Sequence, residues 1–274
     1  MILIADSGST KTDWCFKTSK ENYKIIQTKG INPFYQDSEE ISHIIEEILN
    51  KEEKPEKIFF YGAGCTKEKS TIIKDIFTNL LPSCNSIEVD SDLLGAAKAA
   101  CGNKPGIAAI LGTGSNSCEY DGEKIISNIP PLGFILGDEG SGAVLGKKFI
   151  ADGMKSILSK DIFDLFLSDY QLTIPQIMDK VYREPFPNRF LASICPFLHK
   201  NRDNAEIHNL LVNSFSDFFN RNIKRYNYRE YEVNVVGSIG FYFGKEVKEA
   251  ADNNSIKIGT FIKSPMDGLI EHCS

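Results

Sequence analysis

Tryptophan occurs once in this chain, and methionine and histidine four times each. No apolar run approaches the ~20 residues needed to span a bilayer. The opening run Met1–Ala5 breaks at Asp6, too early for a signal peptide. The cytoplasm is therefore the expected compartment, with no membrane partner. Positive charge is not in excess: the formal net charge is −6, so the electrostatic footprint of a nucleic-acid binder is missing. Seven cysteines (15, 65, 84, 101, 118, 195 and 273) are an odd number with no C-x-x-C pair. That excludes a disulfide framework and a local zinc site and leaves free thiols. The histidines form no H-x-x-x-H pair, and none is given a catalytic role.

What is present reads as α/β. Hydrophobic residues make up 42% and charged residues 25% of 274 positions, an ordinary globular balance and enough chain for one large domain or two of usual size. Strands are expected over 2–5, 13–17, 23–28, 57–61 and 87–90. Asp37, with Glu40 three residues on, opens a helix carrying Ile41, Ile44, Ile45, Ile48 and Leu49 at helical spacing. Further helices are expected over 67–81 and 92–100. Gly102-Asn103-Lys104-Pro105-Gly106 is the strongest breaker cluster, and it divides the chain into domains 1–104 and 105–274. The pattern then restarts, with strands over 107–111 and 117–121 and a hairpin turn at Asp121-Gly122. A mostly helical stretch follows over about 138–223, then a strand over 231–236 and a helix over 240–253.

Two strand-turn-strand units thus carry small, hydroxylated turns, Asp6-Ser7-Gly8-Ser9-Thr10-Lys11-Thr12 and Gly112-Thr113-Gly114-Ser115-Asn116. One such turn is most simply a β-hairpin, and Walker-loop spacing is absent. Two in matched positions suggest facing anion nests, in which successive backbone N–H groups converge on phosphate. Hydroxyls of Ser9, Thr10 and Thr12 would add donors. Asp6, at a strand end, suits Mg²⁺ held through water.

ADSGSTKTDW, DLLGAAKAA, ILGTGSN, LGFILGDEGSG and VVGSIG, in that order, resemble the N-acetylglucosamine kinases of the BadF/BadG/BcrA/BcrD-type ATPase group, within the sugar kinase, Hsp70 and actin superfamily. The resemblance implies two ribonuclease-H-like domains of the actin/hexokinase type, with ATP and a sugar in the cleft between them. It matches Asp6, Gly8, Ser9, Thr10, Lys11 and Thr12 to the first phosphate motif and Thr113 and Gly114 to the second. Gly237 and Ser238 match the adenosine motif. Asp92 matches the catalytic base, with Asp90 the confusable neighbour. Asn32, Ser115, Asn116, Gly133 and Asp138 match sugar-side positions. Asp92 and Asp138 could each be simple helix N-caps instead. Leu132 stands where the family carries an aromatic, which bears on which amino sugar is taken. Trp14 is expected to pack in the sheet rather than to line a sugar site.

The implied activity is phosphoryl transfer from MgATP to an N-acetylated hexosamine. N-acetylglucosamine is the first choice and N-acetylmuramic acid the second, and the resemblance leaves room for a homodimer. The rival from another class is the ATPase that activates 2-hydroxyacyl-CoA dehydratases. It needs cysteines for an iron–sulfur cluster, and no cysteine here lies in a recognisable cluster-binding segment.

Overall fold

The computed structural model describes residues 1–8, 10–51 and 54–273. Ser9, one of the expected phosphate-turn hydroxyls, lies outside the described residues. The chain divides into two compact units, one of residues 1–104, 121–125 and 264–274, the other of 105–120 and 126–263. Two segments therefore depart from a single division near residue 104, and both have local reasons. Gly122 lies against the Asn103 carbonyl, where an added Cβ would come within 2.7 Å. The helix Met266–His272 meets the first unit so closely that a Cβ on Gly268 would come within 2.3 Å of the Ala99 carbonyl oxygen. Buried Lys17 donates to the Ile270 and Cys273 carbonyls at that helix's end, at 2.7 and 2.6 Å.

The first unit holds β1 (Ile2–Ser7), β2 (Lys11–Lys17), β3 (Tyr23–Lys29), β4 (Lys57–Gly62) and β5 (Ser86–Ser91) in the order β3-β2-β1-β4-β5. β1 runs antiparallel to β2 and parallel to β4. The helices are α1 (Ser38–Leu49), α2 (Lys69–Leu80) and α3 (Asp92–Cys101). Asp37 caps α1, accepting the Glu40 N–H at 2.8 Å. One core lies between the sheet and α1 and α2. There Trp14, fully buried, packs on Phe60 and Phe77 at ring separations of 5.9 and 6.4 Å. The opposite face of the sheet packs Ile4, Cys15, Phe59 and Tyr61 against the helix Met266–His272.

The second unit repeats the plan. β6 (Gly106–Leu111), β7 (Ser115–Tyr120), β8 (Ile125–Asn128), β9 (Val233–Val236) and β10 (Ile258–Ile262) stand in the order β10-β9-β6-β7-β8. Its first strand is again antiparallel to the second and parallel to the fourth. The two sheets thus share one topology, so the two strand-turn-strand units belong to a duplicated fold. The helices are α4 (Gly133–Leu136), α5 (Gly142–Met154), α6 (Lys160–Asp169), α7 (Ile174–Tyr182), α8 (Pro187–Ala192), α9 (Cys195–Lys200), α10 (Ala205–Arg221), α11 (Ser238–Tyr242) and α12 (Gly244–Asn253). The single late helix expected over 240–253 is in fact α11 and α12, separated at Phe243. Among the described residues, no helix is long and apolar enough to cross a membrane.

Candidate active site

In the first unit, Asp6 is the penultimate residue of β1 and Gly8 opens the turn that returns to β2. The turn closes through a hydrogen bond from the Gly8 N–H to the Lys11 carbonyl, 3.0 Å. Gly8 has no positive φ, and a Cβ added there would meet nothing nearer than 3.7 Å. Among the described residues, neither backbone angle nor close packing requires glycine at this point. Thr12 is the exception among the expected phosphate donors. Its hydroxyl is fully buried, 2.7 Å from Ser7 Oγ and 3.3 Å from the Lys29 carbonyl. The strand pleat turns it to the face opposite Lys11 and Asp13. Thr10 is exposed.

Asp92 is the first residue of α3, at the end of β5. It is not the cap of that helix: Ser91 is, accepting the Leu94 N–H at 3.2 Å. The capping position is therefore taken by its neighbour, and the Asp92 carboxylate lies within the first turn of the helix. Burial pushes Asp92 up to about 6, against hydrogen bonds from the backbone N–H groups of Leu93 and Asp92 that pull it down. Asp6 is pushed up to about 7, first by burial and then by the charges of Asp92 and Asp13, with Lys11 opposing. Like charges and poor hydration both favour the protonated form of Asp6 in the free protein. Asp90 is exposed and accepts the Ser91 N–H at 2.9 Å.

Among the described residues no group of three or more His, Cys, Asp or Glu side chains is arranged to hold a metal ion. Mg²⁺ does not need such a cage, because it keeps several waters and takes one or two carboxylates beside substrate phosphates. The hard oxygen donors of Asp6, with Asp92 near by, fit that requirement.

Asn32, buried, anchors its own loop. Its side-chain oxygen accepts the Phe34 N–H at 3.0 Å, and its backbone N–H donates to Gln36 Oε1 at 2.7 Å.

In the second unit, β6 ends at Leu111 and Gly112 opens the corresponding turn. Gly112 matches Gly8: it has no positive φ, and an added Cβ would find nothing nearer than 3.9 Å. The Gly112 and Thr113 carbonyls accept the Gly142 and Ala143 N–H groups of α5 at 2.8 and 3.1 Å. This ties the turn to the start of that helix. Ser141 caps α5 through the Val144 N–H, so Asp138 is not the cap either. Asp138 sits at φ +51°, with its carboxylate over the turn. A Cβ on Gly114 would come within 3.0 Å of Asp138 Oδ2, and the Ser115 backbone N–H donates to the same carboxylate. Burial raises Asp138 to about 6 in spite of that bond. Gly114, Ser115 and Asp138 are thus brought together. Asn116 Oδ1 accepts from the Ser117 N–H and from Asn128 Nδ2, at 2.9 and 3.0 Å.

Gly133 is exposed at φ +72° with open space at its missing Cβ, beside exposed Leu132. Gly237, at φ +113°, has an internal reason to be glycine, since a Cβ would come within 2.5 Å of the Leu111 carbonyl oxygen. That close approach puts the β9–α11 turn, with exposed Ser238, against the end of β6. Sequence reasoning gave no role to Asp13, which the structure sets beside both Asp6 and Lys11. The signal that could have found it was its place opposite Asp6 in a hairpin closed by a short turn.

No family model matches the chain. The crystal structure of a Porphyromonas gingivalis protein, provisionally assigned as an N-acetylglucosamine kinase, is 45% identical. That match covers 99% of this chain and 98% of the other, with a TM-score of 0.95. A curated N-acetylmuramic acid/N-acetylglucosamine kinase of Clostridium acetobutylicum is 28% identical over 214 residues, 70% of this chain and 68% of that one. A ROK family glucokinase from Streptomyces griseus, solved with glucose and AMPPNP, is 12% identical over 98% of this chain and 97% of its own, with a TM-score of 0.58. That last likeness is one of fold.

Proposed function

The chain belongs to the N-acetylglucosamine kinase family, to which its 45% identity over 99% of its length joins it, and on that premise we propose that it transfers the γ-phosphoryl group of MgATP to a hydroxyl of an N-acetylated hexosamine, N-acetylglucosamine first. The observation that carries this reading is Asp92. It is a carboxylate at a strand-to-helix junction, relieved of capping by Ser91 and raised to about 6 by burial. A base poised there can accept the proton of a sugar hydroxyl as that oxygen attacks phosphorus.

Most of the remaining work is positioning and charge. The open turns at Gly8 and Gly112 offer backbone N–H groups to phosphate oxygens. Lys11 adds an ammonium to the first turn, and Gly237 and Ser238 flank the adenosine. Asp6 would hold Mg²⁺ through water; the ion, when bound, neutralises charge on the phosphates. Asp138 accepts hydrogen bonds from sugar hydroxyls, and Ser115, Asn116, Asn32 and Gly133 complete the sugar side. The reading puts the enzyme in the cytoplasm.

N-acetylmuramic acid is the second acceptor. Both sugars stand in the name of the Clostridium relative, and Leu132, 62% exposed, leaves that side of the site without an aromatic wall. Coupled ADP release, measured across glucose, glucosamine, N-acetylglucosamine, N-acetylmannosamine and N-acetylmuramic acid, tests the reading. Turnover confined to N-acetylated sugars supports it, and equal turnover of glucose overturns it.

A further inference from the structure

Lys11 and Asp13 lie two residues apart on β2 and so share one face of the sheet. Asp13 is paired across β1 with Asp6 and across β3 with Gln27. Gln27, Asp13 and Asp6 therefore form one transverse row, on the same face as Lys11. Asp13 is 8% exposed, and both of its carboxylate oxygens are engaged. Gln27 Nε2 donates to Oδ1 at 2.6 Å and Lys11 Nζ to Oδ2 at 2.8 Å. The Lys11 side chain is otherwise 56% exposed. Its backbone carbonyl closes the turn by accepting the Gly8 N–H. A long, flexible ammonium at the rim of an open turn is thus held at one end by a fixed, buried carboxylate.

We propose that Asp13 is a positioning residue for the nucleotide: it holds the Lys11 ammonium on the Asp6 side of the first turn, ready for the phosphate oxygens. The inference rests on the kinase reading and deepens it by adding a residue that never touches phosphate itself. Gln27 fixes the carboxylate, the carboxylate fixes the ammonium, and less side-chain freedom remains to be lost when nucleotide binds. Without Asp13, Lys11 keeps its charge but samples many rotamers. The loss then falls on nucleotide affinity and not on the sugar.

Titration of ATP, with and without Mg²⁺, by the fluorescence of Trp14 or by calorimetry tests this in Asp13→Asn, Lys11→Met and the double variant, alongside KM for each substrate. Asp13→Asn and Lys11→Met should each weaken ATP about ten-fold, with KM for the sugar unchanged. The double variant should be no weaker than the worse single, because both remove one device. Gln27→Leu, which keeps both charges and loosens only the carboxylate, should move ATP affinity the same way by a smaller factor. Additive losses in the double variant overturn the inference. So does ATP affinity untouched by Asp13→Asn, or loss spread equally over ATP and sugar, the mark of a merely structural role. If the unmodified protein binds ATP and phosphorylates amino sugars while the two residues are uncoupled, this inference alone fails. If it binds no ATP, the kinase reading fails with it.

Discussion

The Asp138 carboxylate rests directly on Gly114, so closely that a methyl group at residue 114 would stand 3.0 Å from Oδ2. The Ser115 N–H holds the same group from beside it. The carboxylate proposed to bind the sugar is thereby held against the turn proposed to face phosphate. Asp138→Ala should raise KM for the sugar about ten-fold or more, the worth of one or two hydrogen bonds to a charged acceptor, with KM for ATP little changed. Gly114→Ala should shift the carboxylate and do the same more weakly. Steady-state kinetics with each substrate varied in turn will check both. Equal damage to the two KM values would make Asp138 a structural support.

Asp92→Asn should lower kcat by roughly 10²–10⁴-fold, the usual worth of a general base, while ATP still binds. Asp90→Asn should stay near the unmodified rate, since Asp90 is exposed. As the proposed base, Asp92 must be ionised to act, and burial pushes its carboxyl up to about 6 in the free protein. The rate at low substrate should therefore fall as pH drops through 6, by about ten-fold per unit below it, and a pH profile of kcat/KM will show where the acid limb lies.

Much of the first unit could be read from sequence because its signals are local. A short apolar run ending at Asp6 and the turn after it pointed to β1 and β2, and Asp37 with the Ile41–Ile48 spacing pointed to α1. The segment that returned to this unit could not be read so. The helix Met266–His272 is placed there by Gly268 against Ala99 and by Lys17 bonding to two carbonyls more than 250 positions away. β10, five residues and at most half-buried, has no alternation to announce it. In the site, Asp92 and Asp138 were legible as positions and ambiguous as roles, because Asp is as good a cap as Ser. The hydrogen bonds of Ser91 and Ser141 identify the caps. The burial of Thr12 depended on where the pleat of β2 began, at Lys11 rather than Asp13.

Glycines in the turns should separate into two kinds. Gly8→Ala meets open space at an ordinary backbone angle, so thermal unfolding should shift by less than about 2 °C while KM for ATP rises. Gly237→Ala combines a positive φ with a clash against Leu111, so it should lower the melting temperature markedly. Paired melting curves and ATP titrations will distinguish them.

Asp6 should cost the free protein stability. Its folded-state pKa of about 7 lies above the unfolded value near 3.8, so the folded state holds the proton more tightly. The contribution is favourable below about pH 4, is lost as pH rises to 7, and stays lost above that. Asp6→Asn should therefore raise the stability of the nucleotide-free protein at pH 8, by on the order of 4 kcal/mol. It should give no gain at pH 4, as denaturant curves at the two pH values will show.

Sugar phosphorylation is tested most directly by the stoichiometry of product formation with MgATP and N-acetylglucosamine, ADP being measured enzymatically and phosphosugar by ³¹P NMR. A sugar kinase should form one sugar phosphate for each ADP, release no appreciable ADP when the sugar is omitted, and lose both products together in Asp92→Asn. Brisk ADP release without sugar, accompanied by inorganic phosphate and no sugar phosphate, would contradict it.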